Sequence, residues 1–265
     1  MNFLPLTKFR KKVSKSKIPR NIMQTYKTKI LPLHWQASQD SIKKYMSNWT
    51  YMLFDDKDNR KLVEELRPDL LKYYDEFKHP IMRVDFARVL FLKKYGGIYI
   101  DCDFELQKSL EPLFDSGSSL YFIKSHNVGK YLTNSFMASV PNHPFLDQYL
   151  NEMVKPAPIW AFGKHLHVMQ TTGPMALTRS VNIYKPIFSL LPQQQIIPCS
   201  ICEIGRCMAP SAYIKTLPGQ SWNSWDSLLY NYIFCNYKEI IIYIFISILI
   251  IYALLYIYKK KFPWN

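Results

Sequence analysis

Acidic residues are few in this sequence relative to basic ones, and its cysteines are odd in number. Its 265 residues include 20 Asp and Glu against 34 Lys and Arg, and its cysteines number 5. An odd count fits reduced thiols, or one disulfide with cysteines left over, so it does not settle the compartment. The basic first 20 residues contain no apolar stretch, so no signal peptide is expected. Internal repeats and low-complexity tracts are also absent from the sequence, which excludes a repeat array.

The shortage of acids gives a net charge of +14, but most of this charge lies at the two ends of the chain. Residues 1–20 carry seven Lys and Arg and no acid, and residues 259–261 add three Lys. Basic ends of this kind suit flexible segments near an anionic membrane. A nucleic-acid-binding arm is the competing interpretation, but no nucleic-acid-binding fold accompanies it, and nucleic acid is not expected as a partner.

One uncharged run predicts a membrane span. Residues 240–258 contain no charged side chain, and a helix of this length, at about 1.5 Å per residue, nearly crosses the ~30 Å hydrocarbon layer. We therefore expect a transmembrane helix at 237–259 and a short basic tail at 260–265. A buried core helix and an aggregation-prone strand are the alternatives.

The orientation of this span is ambiguous in the sequence. Only seven residues follow Tyr258, which favours insertion after synthesis and a cytosolic body. The three lysines at 259–261 favour the opposite, a cytosolic tail with the body in the lumen of the ER or Golgi. Asn48-Trp49-Thr50 is a glycosylation sequon that only a lumen would use, but it falls in an expected strand region. The expectation is a single-pass membrane protein with a cytosolic body, and the luminal orientation is the alternative.

The segment YGGIYIDCD at 95–103 carries the clearest chemical signal. The apolar run at 98–100 predicts a buried strand, and Asp101 and Asp103 follow at its end. Two carboxylates at this spacing suit Mg²⁺ or Mn²⁺, and hence a phosphate-bearing substrate. Ligands of open α/β sheets bind just beyond the carboxyl ends of strands, where this pair falls. A solvated acidic turn is the alternative, and Cys102 is expected to point away from both aspartates into the core.

Residues 79–95, which precede this strand, predict one helix. Pro80 suits the first turn of a helix, two lysines suit its last turn, and Gly96 suits a left-handed cap. Asp85 and Arg88 are three residues apart and therefore share a face. A surface ion pair would explain them, but it would not explain the apolar residues around them.

Asp85-x-x-Arg88 followed by GGIYIDxD resembles the core of the DxD-containing sugar transferases of glycosyltransferase family 32, which include inositol-phosphoceramide mannosyltransferases. More distantly, the chain is similar to the bacterial glucosylating toxins. The resemblance spans roughly residues 18–222. Residues 18–26 resemble the family's opening strand, although Met23 and Tyr26 replace the usual His and Trp. The other similar segments are 48–56, 134–138, 141–145, 172–174 and 221–222.

The resemblance implies a GT-A-like α/β fold with a mixed sheet and a nucleotide-sugar site. It also implies transfer, with retention, of a hexose (mannose, galactose or an N-acetylhexosamine) from a UDP- or GDP-linked donor to a glycan or lipid acceptor. Asp101 and Asp103 would hold Mn²⁺ or Mg²⁺, and Asp85 and Arg88 would contact sugar or phosphate. These four are the expected catalytic residues. The expected donor-binding residues are Gln24, Thr25, Tyr26, Gly97, Ser221 and Trp222.

One departure from the family pattern leaves other interpretations open. The segment before Ser221 contains no His, which relatives often place there, so Asn223 or water would complete a metal shell. A catalytically silent, membrane-tethered sugar- or nucleotide-binding module is therefore the alternative function. A phosphatase using the DxD is a third interpretation, but Glu105 stands where that class has Thr or Val. No residue is identified as a nucleophile, in keeping with front-face attack.

The spacings of cysteine and histidine residues suggest two further candidate metal sites. Cys199, Cys202 and Cys207 could bind zinc if Cys235 or a His supplied a fourth ligand. His165-x-His167, if it lies on a strand, would place both rings on one face as a metal pair or as a wall of the acceptor cleft. The expected domains are a basic tail at 1–17, a glycosyltransferase domain at 18–236, the transmembrane helix at 237–259 and a basic tail at 260–265.

Overall fold

The computed structural model describes residues 17–125, 131–203, 207, 209–219 and 222–261. Ser221, residues 1–16 of the basic N-terminal tail and the last four residues therefore lie outside the described residues. The chain divides into two compact units, the first ending at Trp222 and the second beginning at Asn223.

The first unit contains the expected mixed sheet. Its main sheet has the strand order β2-β1-β3-β6-β5-β7, and a two-stranded sheet pairs β4 with β8. β1 pairs in parallel with β2 and β3, whereas β6 runs antiparallel to β3 and β5. The strands are β1 (Asn21–Thr25), β2 (Thr50–Phe54), β3 (Gly97–Ile100), β4 (Phe104–Leu106), β5 (Leu120–Lys124), β6 (Leu132–Ser139), β7 (Ser189–Leu191) and β8 (Ile214–Thr216).

Helices connect these strands and cover the sheet. Within the described part of the first unit they are α1 (Leu33–Tyr45), α2 (Asp56–Leu66), α3 (Leu71–Glu76), α4 (Pro80–Tyr95), α5 (Pro144–Met153), α6 (Gly163–Thr171), α7 (Pro174–Tyr184) and α8 (Gln193–Ile196). The helix predicted at 79–95 is confirmed as α4, with His79 as its N-cap and Gly96 as its C-cap.

Both faces of the sheet are buried, and alternate residues of a strand pack on opposite faces. Tyr99 of β3 joins the apolar cluster that contains α4, α5 and α7, whereas Ile98 and Ile100 join the cluster on the other face. β3 is a central strand that is buried along its whole length, as the apolar run at 98–100 predicts.

Two glycines allow α4 to pass directly into β3. Gly96 has φ +60° and Gly97 has φ +106°, values that L-residues rarely adopt. A Cβ on Gly97 would also lie 2.3 Å from the carbonyl oxygen of Asn21 in β1. The close approach of β1 and β3 therefore depends on a residue without a side chain, and it fixes the end of β3 from which Asp101 and Asp103 extend.

The second unit consists of α9 (Trp225–Cys235) and α10 (Tyr237–Lys261). α10 is long and apolar enough to cross a membrane, and among the described residues it is the one helix that meets this criterion of length and composition. Its last turn carries three lysines, at 259–261.

Candidate active site

Asp101 and Asp103 lie just after β3, and their backbones are fixed by neighbouring segments. The Asp101 N–H donates to the carbonyl oxygen of Ser135 (2.9 Å), and the Leu217 N–H donates to that of Asp103 (2.7 Å). Gly219 lies directly against Asp103, since a Cβ at this glycine would be 2.9 Å from Asp103 Oδ2. The segment that includes β8 therefore holds the second aspartate of the motif in place.

Asp85 and Arg88 form the ion pair that their spacing predicts, but the pair is buried. Arg88 lies 3.1 Å from Asp85 Oδ1, and each residue is 3% exposed. Asn134 Nδ2 donates to Asp85 Oδ1 (2.9 Å), and Thr172 Oγ1 donates to Asp85 Oδ2 (2.7 Å). Both oxygens of this carboxylate are therefore engaged by protein groups, and the cost of burying its charge is offset.

Arg88 links the buried pair to the DxD motif. It lies 3.5 Å from Asp101 Oδ1, and it also donates to the carbonyl oxygen of Asn134 (2.8 Å). Its guanidinium carbon lies 4.6 Å from the centre of the Tyr99 ring, a cation–π contact. Tyr99 Oη in turn donates to Asp101 Oδ1 (2.6 Å). Asp101 is thus held by one cation and one hydroxyl group.

Burial dominates the electrostatics of these carboxyl groups. It raises the pKa of Asp85 and Asp101 above the ordinary value, although Arg88 acts in the opposite direction on both. Burial and the nearby Asp101 together raise the pKa of Asp103 to about 7. Burial lowers the pKa of Arg88, but the carboxylates of Asp101 and Asp85 outweigh it, so the net shift is upward.

Asp103 is the one carboxylate of the three that forms no ion pair within the described residues. Its Oδ1 is shielded from solvent and makes no hydrogen bond with the described residues. Hard oxygen donors that are dehydrated and unpaired fit a divalent cation such as Mg²⁺ or Mn²⁺. The described residues contain no group of three or more His, Cys, Asp and Glu that could hold a metal, so water or substrate oxygens would supply the other ligands.

The residues expected at the nucleotide base lie at the end of β1, next to the DxD segment. Gln24 is fully buried, and its Nε2 donates to the carbonyl oxygen of Asp101 (3.1 Å) and to Ser38 Oγ (2.9 Å). Thr25 Oγ1 donates to the carbonyl oxygen of Phe54 (3.1 Å). Tyr26 packs edge-to-face on Trp35, with ring centres 5.7 Å apart. Gln24 and Thr25 thus anchor the motif, and Tyr26 is the most exposed of the three.

Trp222 lies beside α6, whereas its neighbour Ser221 is outside the described residues. The Trp222 ring stacks on His165, with centres 5.4 Å apart, and the Trp222 carbonyl oxygen accepts a hydrogen bond from Lys164 Nζ. The metal-pair hypothesis for His165 and His167 required a strand, but both residues belong to helix α6. Side chains two residues apart on a helix do not share a face, so this metal-pair hypothesis fails.

Sequence reasoning missed the residues that support the site. Asn134 and Thr172 lie in segments that resemble family signatures. They are 49 and 87 residues away from Asp85 in the sequence, so their hydrogen bonds to it cannot be inferred from residue spacing. Tyr99 could have been found, since it lies two residues before Asp101 along an extended segment. Trp35 Nε1 donates to the carbonyl oxygen of Pro218 (3.0 Å), and no sequence pattern predicts this hydrogen bond.

The zinc hypothesis for the cysteine cluster is also wrong. Cys199 and Cys207 form a disulfide, so their sulfurs are not available as thiolate ligands. Cys102, the free cysteine, is buried as expected, and its thiol donates to the carbonyl oxygen of Thr25 (3.3 Å).

Comparisons with known proteins converge on one family. Residues 32–120 match the family model described as a glycosyltransferase sugar-binding region containing a DXD motif. A mannosyl phosphorylinositol ceramide synthase of Saccharomyces cerevisiae is 32% identical over 63% of this chain, which spans 43% of that relative's length. An uncharacterised glycosyltransferase of Acanthamoeba polyphaga mimivirus is 30% identical over 63% of this chain, and the match covers 68% of that relative's length.

A solved structure supports the fold. The ligand-free glycosyltransferase domain from the YGT toxin has a TM-score of 0.51 and 7% identity, and the match covers 68% of this chain and 80% of that one. At this identity the likeness concerns the fold alone. It agrees with the glycosyltransferase fold class expected from the sequence.

Proposed function

Because the chain belongs to the glycosyltransferases whose sugar-binding region contains a DXD motif, we propose that it transfers a hexose from a nucleotide sugar to a sphingolipid-type glycolipid. The yeast relative is named as a mannosyl phosphorylinositol ceramide synthase, which makes mannose the first sugar to test. Galactose and N-acetylhexosamines remain in the panel, with either UDP or GDP as the nucleotide.

The observation that carries this proposal is the unpaired, dehydrated Oδ1 of Asp103 beside a firmly held Asp101. Such a donor pair fits Mn²⁺ or Mg²⁺ together with the oxygens of a diphosphate. The cation, when bound, would neutralise the charge that develops on the leaving diphosphate. Asp103 would be its protein ligand, and Asp101 would contact the cation, its water shell or the donor sugar.

Asp85 and Arg88 act as positioning residues in this proposal. Asp85 has both oxygens bonded within the protein, and Arg88 holds Asp101 by charge. Together they fix the Asp101 carboxylate in one orientation, which preorganises the electrostatics around the donor. Removing one well-placed contact of this kind typically lowers the rate by about 100–1000-fold.

Retention, which the resemblance to the family implies, belongs to the same proposal. A double displacement needs a free carboxylate nucleophile, but the carboxylate of Asp85 is fully engaged, that of Asp101 is held by Tyr99 and Arg88, and that of Asp103 is assigned to the cation. We infer front-face attack instead, in which the acceptor oxygen bonds to the anomeric carbon as the bond to the diphosphate breaks. The acceptor proton passes to a diphosphate oxygen, so no protein base is required.

The first test is donor hydrolysis by the purified full-length protein in detergent. A panel of UDP- and GDP-sugars is incubated with Mn²⁺ or Mg²⁺, and nucleotide release is measured. We expect release from one donor, dependent on the cation and lost in Asp103→Asn. The matched control is Asp40→Asn, which makes the same change at an exposed position on α1. Failure to bind any nucleotide sugar would overturn the proposal, and the anomer formed on an acceptor tests retention.

Membrane attachment and orientation belong to the same proposal. We propose that α10 spans the membrane and that the catalytic domain, at 18–236, lies on the side away from the cytosol. The Cys199–Cys207 disulfide fits an oxidising compartment, and the lysines after the span fit a cytosolic tail. This is the opposite of the orientation expected from sequence.

A further inference from the structure

An exposed apolar loop precedes α6 and takes no part in the fold's core. Residues 155–162, here called the α6 loop, present Ile159, Trp160 and Phe162 to solvent, with exposed fractions of 96%, 53% and 71%. Three large apolar side chains within four residues are more than the scattered apolar exposure of an ordinary surface. Residues 153–165 also contain no Asp or Glu, so the loop bears no negative charge.

We propose that the α6 loop inserts into the interfacial region of the lipid bilayer and places the active site at the membrane surface. This inference rests on the proposed transfer to a glycolipid. Trp and Phe are the side chains that favour the headgroup level, and an Ile beside them adds buried apolar area.

Part of the backbone of the loop already meets the requirement that a bilayer imposes. Polar backbone groups that enter a lipid environment must find partners within the protein. Pro156 and Pro158 have no N–H to satisfy, while the N–H groups of Ala161 and Phe162 donate to carbonyl oxygens within the loop, of Pro158 and Trp160 (both 2.9 Å). These turns also fix the tip before any contact with lipid, so less conformational freedom is lost on insertion.

The bilayer is favoured as the occupant because the chain carries its own membrane helix. α10 begins at Tyr237, and only fourteen residues separate it from Trp222, the residue that stacks on His165 at the start of α6. These fourteen residues tether the unit that carries the α6 loop to a helix long and apolar enough to cross a bilayer. A partner protein would also need an apolar groove, whereas a fluid bilayer needs no complementary shape.

The loop is connected to the site by a single short helix. α6 follows the loop directly, its first turn contacts Trp222, and Thr172 just after its end donates to Asp85. Nine helical residues span about 13 Å. A lipid whose headgroup stays at the surface would thus present its sugar or inositol to the site without leaving the bilayer.

The direct test measures the depth of Trp160. The full-length protein is reconstituted in nanodiscs of phosphatidylcholine, either ordinary or brominated on its acyl chains, and tryptophan emission is recorded for wild type and Trp160→Phe. The difference between the two proteins gives the emission of Trp160. We expect this component to be strongly quenched by the brominated lipid. Equal emission in both lipids would overturn the proposal, whether or not the protein transfers sugar.

A second test links insertion to acceptor choice. The triple variant Ile159→Ser, Trp160→Ser, Phe162→Ser is compared with wild type on a bilayer-embedded glycolipid and on a water-soluble glycoside with the same headgroup. We expect about a tenfold loss on the lipid acceptor alone. The control is Ile183→Ser with Ile187→Ser, which removes equally exposed apolar groups at the end of α7. Equal losses on both acceptors would show a structural role and refute insertion.

Loss of the proposed function would be recognised separately. If wild type transfers sugar to neither acceptor, the glycolipid proposal fails while the quenching of Trp160 still decides whether the loop enters the bilayer. If the loop is instead covered by a protein or by a second copy of the chain, Trp160 is shielded from a soluble quencher and from brominated lipid alike.

Discussion

Two carboxylates of the site differ in how their charge is compensated. Asp85 is surrounded by Arg88, Asn134 and Thr172, whereas Asp103 Oδ1 has no hydrogen-bond partner among the described residues. A paired buried charge loses its compensation when one partner is neutralised, but an unpaired one is a net cost to the folded state. The same Asp→Asn change should therefore have opposite effects on stability at the two positions.

Asp85→Asn is expected to destabilise the fold by about 3 kcal/mol, because it leaves the buried guanidinium of Arg88 with a weaker partner. The measurement is denaturant unfolding of the full-length protein in detergent, followed by near-UV circular dichroism. An unchanged midpoint would show that Asp101 alone compensates Arg88 and would refute the positioning role.

Asp103→Asn is expected to leave stability unchanged or to increase it in the presence of EDTA, since the change removes the charge from a carboxylate with one shielded, unpaired oxygen. Its metal-dependent turnover should fall by about 100–1000-fold. The same unfolding assay and the donor hydrolysis assay measure the two effects on one preparation. A destabilised Asp103→Asn would mean that the carboxylate has a structural partner, and it would weaken its assignment as a metal ligand.

Gly219 offers a steric test of the same aspartate. A Cβ at this position would lie 2.9 Å from both Oδ2 and Cβ of Asp103, while Gly219 itself is exposed and its φ is not positive. Gly219→Ala is therefore expected to displace Asp103 with little loss of stability, lowering turnover by about 10–100-fold. The matched control is Pro218→Ala, the neighbouring exposed position, which should retain activity. Equal activity of both variants would show that Asp103 tolerates the displacement.

At the level of elements, the connection from α4 into β3 positions Asp101 and Asp103. Gly97→Ala would place a Cβ 2.3 Å from the Asn21 carbonyl oxygen at a backbone φ of +106°. Overpacking and strain together predict a loss of about 2–5 kcal/mol, enough to unfold a marginally stable protein. The unfolding midpoint and the yield of folded protein measure it. A stable, folded Gly97→Ala would mean that β1 and β3 can separate without consequence.

The connection between α4 and β3 also shows why part of the candidate site could be predicted from the sequence. The start, stop and facing of α4 follow from local signals, namely Pro80, the C-terminal lysines, Gly96 and the spacing of Asp85 and Arg88. The DxD pair follows from its place after an apolar run. These features depend on residues close together in the chain, which is the range over which periodicity and capping act.

Other elements could not be predicted from the sequence because tertiary contacts determine them. α6 has no side-chain cap at its N-terminus, and its His-x-His pattern suggested a strand. The bonds that Asn134 and Thr172 make to Asp85 are set by the packing of β6 and α6 against α4, not by spacing. The disulfide between Cys199 and Cys207 likewise competed in the sequence with zinc binding and free thiols.

At the scale of the whole molecule, the proposed orientation in the membrane differs from the one expected from the sequence. The position of the apolar run in the sequence predicts a cytosolic body. The sequon Asn48-Trp49-Thr50 counted little against that prediction, because it falls in an expected strand region. In the structure Asn48 lies in an exposed turn between α1 and β2, not within a strand. An exposed turn leaves the Asn48 amide and the Thr50 hydroxyl accessible to modifying enzymes.

If the catalytic domain lies in the lumen, Asn48 should carry an N-linked glycan when the full chain is expressed in a eukaryotic cell. The measurement is the shift in gel mobility on treatment with an endoglycosidase, with Asn48→Gln as the control that abolishes the shift. Because an exposed sequon can be skipped, the second readout is thiol labelling in intact vesicles under non-reducing conditions. A cytosolic domain would keep Cys199 and Cys207 reduced and reactive towards a membrane-permeant reagent. Labelling of both cysteines together with an unglycosylated Asn48 would reverse the proposed orientation.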